Sequence, residues 1–342
     1  MKKSSSIIKI EPLSQPWKTQ DPFIFCAHHT DQYPGGNNVL GPKTGVAGRN
    51  IGQDFSGKDG WSMYHGINAP GFPAHPHCGF ETVTIVPRGM IDHSDSLGAH
   101  GRFGDGDVQW LTAGKGVQHA EMFPLLKEDN NPLELFQLWF NLPAKSKLAA
   151  PYYNMLWKED IPVVRIKDEK GNATEVDLIS GRLGDYVALS PNPDSWAADE
   201  NNHVQIWKFK MDAHASFSIP PIKENVTRSL YFYEGDTVSI ENETIGKNHL
   251  IELNSEKEVS LINGSEQGFF VFLQGRPIEE PVVQYGPFLA ESEQTLNQRI
   301  QEYRKTQFGG WPWPSSEPVH GKAKGRFSIT PDGNKVFKSV GL

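Results

Sequence analysis

Ala74-His75-Pro76-His77-Cys78-Gly79-Phe80-Glu81-Thr82-Val83 is the stretch on which the fold of this chain turns. In an extended strand, residues two apart point to the same face, so His75 and His77 present their imidazoles side by side, about 7 Å apart along the chain. Pro76 fixes its own φ and removes a backbone donor, which stiffens the pair and predicts a strand start or edge. Further on stands Thr112-Ala113-Gly114-Lys115-Gly116-Val117-Gln118-His119-Ala120-Glu121, where two glycines permit a sharp turn before a second same-face pair, His119 and Glu121. If neighbouring strands set these pairs opposite each other inside a barrel, three neutral nitrogens and one carboxylate converge. Such a set suits Fe(II), Mn(II), Ni(II) or Cu(II), with Zn(II) also possible, and leaves two octahedral positions open.

The plain alternative is chance, since any two surface histidines can meet the His-x-His spacing. Two such pairs argue against it, because a buried carboxylate without a partner costs several kcal/mol. Eight of the twelve histidines lie at or before residue 119, six of them between His65 and His119. A competing ligand is Glu81, which has the parity of His75 and His77, and geometry alone leaves Glu81 and Glu121 both open.

The rest of the chain reads as all-β. Gly (33) and Pro (25) punctuate short runs rich in Val, Ile, Thr, Phe and Trp. Strands are expected over Glu81 to Val86, Asp107 to Thr112, Leu133 to Asn141, His203 to Met211, Ser229 to Glu234 and Gly268 to Gln274. The 342 residues favour two domains, and a polar stretch from Pro143 to Pro162 reads as a linker with one short helix. The expected divisions are 1–155, a metal-binding barrel, 156–290, a barrel without metal, and 291–342, a C-terminal helix and extended tail. Strand, glycine turn and strand recur through Gly89 and Gly235, a weak internal repeat. After Ser292, an N-cap, Leu296, Ile300 and Tyr303 form one apolar stripe that would dock a helix. The tail with Trp311-Pro312-Trp313-Pro314 is too Pro-rich for strand or helix and is expected to pack its tryptophans on its own domain.

A formal charge of −8 argues against direct nucleic-acid binding. Two cysteines, Cys26 and Cys78, point to a reducing compartment, and the apolar run after Met1-Lys2-Lys3 is broken by Lys9 and Glu11. A cytoplasmic protein without signal peptide is expected. No apolar run approaches the roughly 20 residues that span a bilayer, so no membrane partner is expected.

The motifs resemble those of the pirin family. His75-Pro76-His77 is followed by Gly79-Phe80-Glu81-Thr82-Val83, then Asp107-Val108-Gln109-Trp110, Thr112-Ala113-Gly114 and His119-Ala120-Glu121-Met122. The likeness continues through Leu138-Trp139-Phe140-Asn141-Leu142-Pro143, Gly275-Arg276-Pro277-Ile278 and Glu280 to Phe288, covering roughly residues 20 to 305. His75-x-His77-x-x-x-Glu81 is also the first motif of the wider cupin superfamily. The resemblance implies two cupin-type β-barrels (a bicupin), the second without a metal. It also places the metal ligands on His75, His77, His119 and Glu121, which leaves Glu81 as a hydrogen-bond partner. Three departures stand out: Cys78 occupies a position where the family commonly has Arg, the Gly-rich stretch from Pro34 to Asp54 is long, and the tail beyond Gln307 looks like an extension.

Other candidates have duller readings. Cys78 has opposite parity to the histidines and should face apolar packing. His28 and His29 are adjacent, cannot share a face, and read as loop or surface residues. His93 and His100 could reach the pocket mouth, but are equally well read as turn histidines. Trp110 and Phe136 are expected to line barrel interiors.

By resemblance, the chain is expected to be a non-haem metal-dependent dioxygenase that opens a flavonol such as quercetin with O2, with Fe(II) as the expected metal. His119 and Glu121 would serve in catalysis, Glu121 as ligand and proton acceptor. The alternative, also from the family, is a redox-sensing co-regulator that acts through a protein partner. Oxygen uptake with flavonols discriminates between the two.

Overall fold

The computed structural model describes residues 5–338. Met1 to Ser4, whose charge entered the reading of the N-terminus, lie outside them. The backbone is antiparallel β throughout the paired strands, with one α-helix, Glu293–Thr306, among the described residues. The chain divides into two compact units, one of Ala27–Lys158 with Glu280–Leu342, the other of Met1–Cys26 with Glu159–Glu279.

These units differ from the three consecutive segments expected. The strand Ile7–Pro12 pairs with His249–Leu253 in the second half of the sequence, a long-range ladder no local pattern announces. The supposed linker contains Tyr152–Leu156, which pairs with Val108–Thr112, so it closes a sheet instead of spanning a gap. The segment after residue 290 belongs to the unit that holds the histidine pairs.

A five-stranded sheet runs in the order Tyr152–Leu156, Val108–Thr112, Phe80–Arg88, Asn130–Asn141, Phe23–Pro34, all but residues 23–26 falling in that unit. A six-stranded sheet runs Lys335–Lys338, Arg326–Ile329, His100–Gly104, Met90–Asp95, Val117–Met122, Gly71–His77. Val86, Leu133 and Leu135 of the first meet Ile91 and Phe103 of the second in one apolar cluster. Each fully buried side chain of this kind stabilises the fold by about 1.5–3 kcal/mol.

The helix forms as its spacing predicts: Ser292 Oγ accepts from Thr295 N, and Leu296, Ile300 and Tyr303 pack with Cys78, Phe288 and Ala290. Cys78 therefore faces apolar packing, and burial pushes its thiol up to about 12. The tail departs from expectation: Arg326–Ile329 adds a strand to His100–Gly104 and pairs with Lys335–Lys338. Trp313 does pack on its own unit, its Nε1 donating to Asp95 O at 2.8 Å.

In the other unit a seven-stranded and a four-stranded sheet enclose Trp207, Phe209, Leu230, Phe232, Phe270 and Phe272 from one side and Phe217, Ile219, Val238 and Leu261 from the other. No helix among the described residues is long and apolar enough to cross a membrane.

Candidate metal centre

The register of three strands builds the site. Gly71–His77 pairs with Val117–Met122 so that His75 lies opposite His119, while Phe72 lies opposite Glu121, with an extra residue between the two pairings. That bulge turns the strand locally and lets His75 and His77 meet His119 at one point. Met90–Asp95 flanks the other side, setting His93 opposite Glu121 and Asp95 opposite His119. Directly paired residues share a face, so all six polar side chains project from one side of the sheet.

Three imidazole nitrogens converge. His75 Nε2 lies 3.1 Å from His77 Nε2 and 3.0 Å from His119 Nε2. The ligand atoms of the three residues all lie within 4.8 Å of one another, and this is the metal-capable group found among the described residues. Glu121 Oε2 stands 3.6 Å from His119 Nε2. His77, His119 and Glu121 are buried, and His75 is half-buried.

The donor set fits a divalent transition metal. His75 Nδ1 is 2.8 Å from Pro73 O, a carbonyl that can only accept, so the proton sits on Nδ1 and Nε2 carries the lone pair. Burial holds His75 down to about 4 and pushes His77 and His119 well below the usual imidazole range, so all three are neutral. Lone pairs that crowd one point without a cation repel. Metal–nitrogen bonds of about 2.1 Å at right angles put the nitrogens about 3.0 Å apart, the separation seen here. The Nδ1 atoms of His77 and His119 have no protein hydrogen-bond partner.

Glu121 is fixed from the facing sheet. Its Oε1 is 2.9 Å from Thr84 Oγ1, and its Oε2 accepts from Gln137 Nε2 at 3.3 Å. Burial raises the carboxyl's pKa, opposed by Thr84 and by His93, and a bound cation would favour the ionised form. Aromatic rings border the histidines: Phe72 is 6.3 Å from the His75 ring, and Phe80 and Trp139 are 5.1 and 5.4 Å from that of His77.

Not every residue singled out in the sequence joins this cluster. Thr84 reaches Glu121, and register is unbroken from Phe80 to Ile85, so Glu81 points to the opposite face of its sheet, where its Oε1 accepts from Thr112 Oγ1 at 2.6 Å. Its parity with His75 and His77 does not carry across Gly79, whose φ of 89° turns the chain from one sheet into the other. Trp110 pairs with Val83, on that same opposite face, and its ring meets Phe140. It therefore does not line the site. His100 pairs with Ser94, not with His93 or Asp95, and packs against Trp313 and His320 under the tail.

Two histidines are buried more deeply than their sequence readings placed them, His93 at a pocket mouth or turn and His29 in a loop or on the surface. His93 is fully buried, its ring stacked on Tyr153 and 5.5 Å from that of His119, with Nε2 3.4 Å from Asp95 Oδ2. The signal was present: His93-x-Asp95 repeats the two-residue spacing of the other pairs. His29 is likewise no surface residue; it lies on Phe23–Pro34, its Nδ1 2.9 Å from Tyr64 Oη, and burial lowers it to about 4.

A two-sheet barrel with converging imidazoles, followed in the chain by a second barrel, defines a cupin-type two-domain protein. The Pirin family matches residues 10–140 and the Pirin C-terminal cupin domain matches residues 206–309. A Pseudomonas aeruginosa protein provisionally named a quercetin 2,3-dioxygenase is 38% identical over 68% of this chain and 79% of its own length. Human pirin is 34% identical over 72% and 80% respectively. The crystal structure of quercetin 2,3-dioxygenase from Acinetobacter baumannii superposes with a TM-score of 0.67 at 26% identity, covering 85% of this chain and 87% of that one. The chain belongs to the pirin family.

Proposed function

We propose that the chain holds one divalent transition metal, iron(II) in a cytoplasmic setting, through His75, His77, His119 and Glu121, and opens a flavonol ring with O2. The observation that carries this reading is the 3.0 to 3.1 Å convergence of three neutral imidazole nitrogens beside a buried carboxylate. The names of the Pseudomonas and Acinetobacter proteins support the substrate class.

A metal bound there would supply Lewis acidity and a template for the substrate's hydroxyl-keto edge. The chain's own residues do the rest. Glu121, close to the imidazoles and in contact with Thr84, accepts the proton of the flavonol hydroxyl. Phe72, Phe80 and Trp139 give a flat substrate aromatic walls and keep water from it.

Metal analysis of the purified protein, paired with oxygen uptake on quercetin, tests this. Iron-loaded protein should consume flavonol and O2 together, and His119→Ala should lose both metal and turnover. Flavonol consumption by metal-free protein would overturn the scheme. Zero turnover in fully loaded protein would favour the redox-sensing co-regulator.

A further inference from the structure

The long Gly-rich stretch from Pro34 to Asp54 leads straight into an aromatic side chain that the metal centre leaves unused. Phe55 is 57% exposed, although the loop that carries it is firmly held. Asp54 and Tyr64 exchange two backbone hydrogen bonds of 2.8 Å. The buried Asp54 carboxylate accepts from Met63 N at 3.0 Å and from Arg49 Nη1 at 2.9 Å, and the Arg49 guanidinium carbon lies 3.4 Å from the Trp61 ring centre. Tyr64 has a φ of 57°, a costly conformation for an aromatic residue, and its hydroxyl donates to Asp31 Oδ2 at 2.8 Å. These contacts hold the Phe55 ring in water instead of letting it fold away.

From Phe55 an aromatic surface runs inward to the histidines. Its ring centre is 6.5 Å from that of Phe72, which is half-buried and stands 6.3 Å from the His75 ring. His65 flanks both, 5.0 Å from Phe55 and 5.8 Å from Phe72. It is exposed, and its Nδ1 lies 3.0 Å from Gly52 O, a carbonyl that can only accept, so the neutral ring carries its proton on Nδ1 and a lone pair on Nε2. That lone pair has no hydrogen-bond partner among the described residues.

We propose that Phe55 and His65 determine substrate specificity by taking the outlying ring of a planar polyphenol whose hydroxyl-keto edge faces the histidines. The ring stacks on Phe55, and a phenolic hydroxyl donates to His65 Nε2. The assignment rests on the metal centre proposed above and narrows its substrate from any hydroxyl-keto chelator to one with two or more joined rings. A single-ring chelator reaches the histidines but not Phe55, which stands beyond Phe72.

Spectrophotometric titration of the full chain loaded with zinc, which binds such ligands without redox turnover, tests this with three probes that share the hydroxyl-keto edge. Quercetin carries hydroxyls on its outer rings, 3-hydroxyflavone has the rings without those hydroxyls, and maltol has a single ring. Phe55→Ala should weaken both flavonols by about three- to tenfold, the worth of one aromatic contact, and leave maltol unchanged. Phe55→Tyr should restore them, and His65→Ala should weaken quercetin more than 3-hydroxyflavone, with zinc content unchanged in all three variants. Equal flavonol affinity in Phe55→Ala, or an equal loss for maltol, overturns the proposal while maltol binding to the unaltered chain upholds the metal centre. Equal losses of quercetin and 3-hydroxyflavone in His65→Ala overturn the part given to His65. Should Phe55→Ala fail to hold zinc, Phe55→Leu, which keeps the bulk without the ring, is read in the same way. Failure of all three probes to bind the loaded, unaltered chain overturns the metal centre and this proposal together.

Discussion

Thr84 Oγ1 lies 2.9 Å from Glu121 Oε1 and 2.8 Å from Gln137 Oε1, so a single hydroxyl from the facing sheet ties the buried carboxylate in place. A hydroxyl has one proton to give, and an ionised Glu121 beside a cation is the stronger acceptor. Thr84→Val keeps the shape and removes the donor. Metal affinity should fall about 10–100-fold, the usual cost of losing a ligand's supporting hydrogen bond. Competition with a chromophoric chelator measures it, and unchanged affinity would remove Glu121 from the ligand set.

Glu81 and Glu121 should respond differently to replacement. Glu121→Gln removes the charge beside His119, so metal content should drop. Glu81 accepts from Thr112 on the other face of its sheet. Glu81→Ala should leave metal content intact while lowering stability by about 1–3 kcal/mol, the cost of stranding a buried partner. Elemental analysis and urea denaturation on both variants check the pair, and loss of metal in Glu81→Ala would reverse the assignment.

The shared faces of His75 with His77 and of His119 with Glu121 were legible in the sequence because period-two parity works within one strand, and both pairs lie inside single strands, Gly71–His77 and Val117–Met122. Parity fails at turns, and Glu81 was misplaced because Gly79 intervenes. Trp110 was misplaced because alternation separates two faces but does not say which one looks inward when both are buried, and His100 because its strand, His100–Gly104, was not among those expected. His93 was left between pocket mouth and turn, and Asp95 went unassigned, because their strand, Met90–Asp95, was not among those expected. The pairing of Ile7–Pro12 with His249–Leu253 depends on contacts far apart in sequence, and composition carries no trace of it.

Removing the metal should soften the protein. Three neutral imidazoles held around one point gain a shared partner only when an ion binds the folded state. At free metal about 100 times Kd the stabilisation is about 2.7 kcal/mol, or a rise of about 5–10 °C in Tm for a unit of this size. Scanning calorimetry with iron or zinc, then with a chelator, should show that interval. In His77→Gln the interval should vanish. A metal-dependent rise that survives in His77→Gln would place the ion elsewhere.

Arg102 fastens the tail to the sheet that carries the site. Its guanidinium pairs with Asp92 through Nε to Oδ1 at 2.7 Å and Nη2 to Oδ2 at 2.8 Å. It also donates to the carbonyls of His320, Gly321 and Lys324 at 2.7, 3.2 and 2.7 Å, and His320 N returns a bond to Asp92 Oδ2 at 2.7 Å. Both charged side chains are buried. Arg102→Met leaves Asp92 buried without a counter-charge and cuts three bonds to the tail, so stability should fall by about 3–5 kcal/mol. Protease cleavage should move to the segment between Gly310 and Arg326. Asp92→Leu added to Arg102→Met removes the stranded charge and should recover part of the stability but not the protease resistance, because the tail carbonyls still lack their donor. Denaturant midpoints and limited proteolysis on the two variants separate these terms, and full resistance in Arg102→Met would show that Arg326–Ile329 holds the tail unaided.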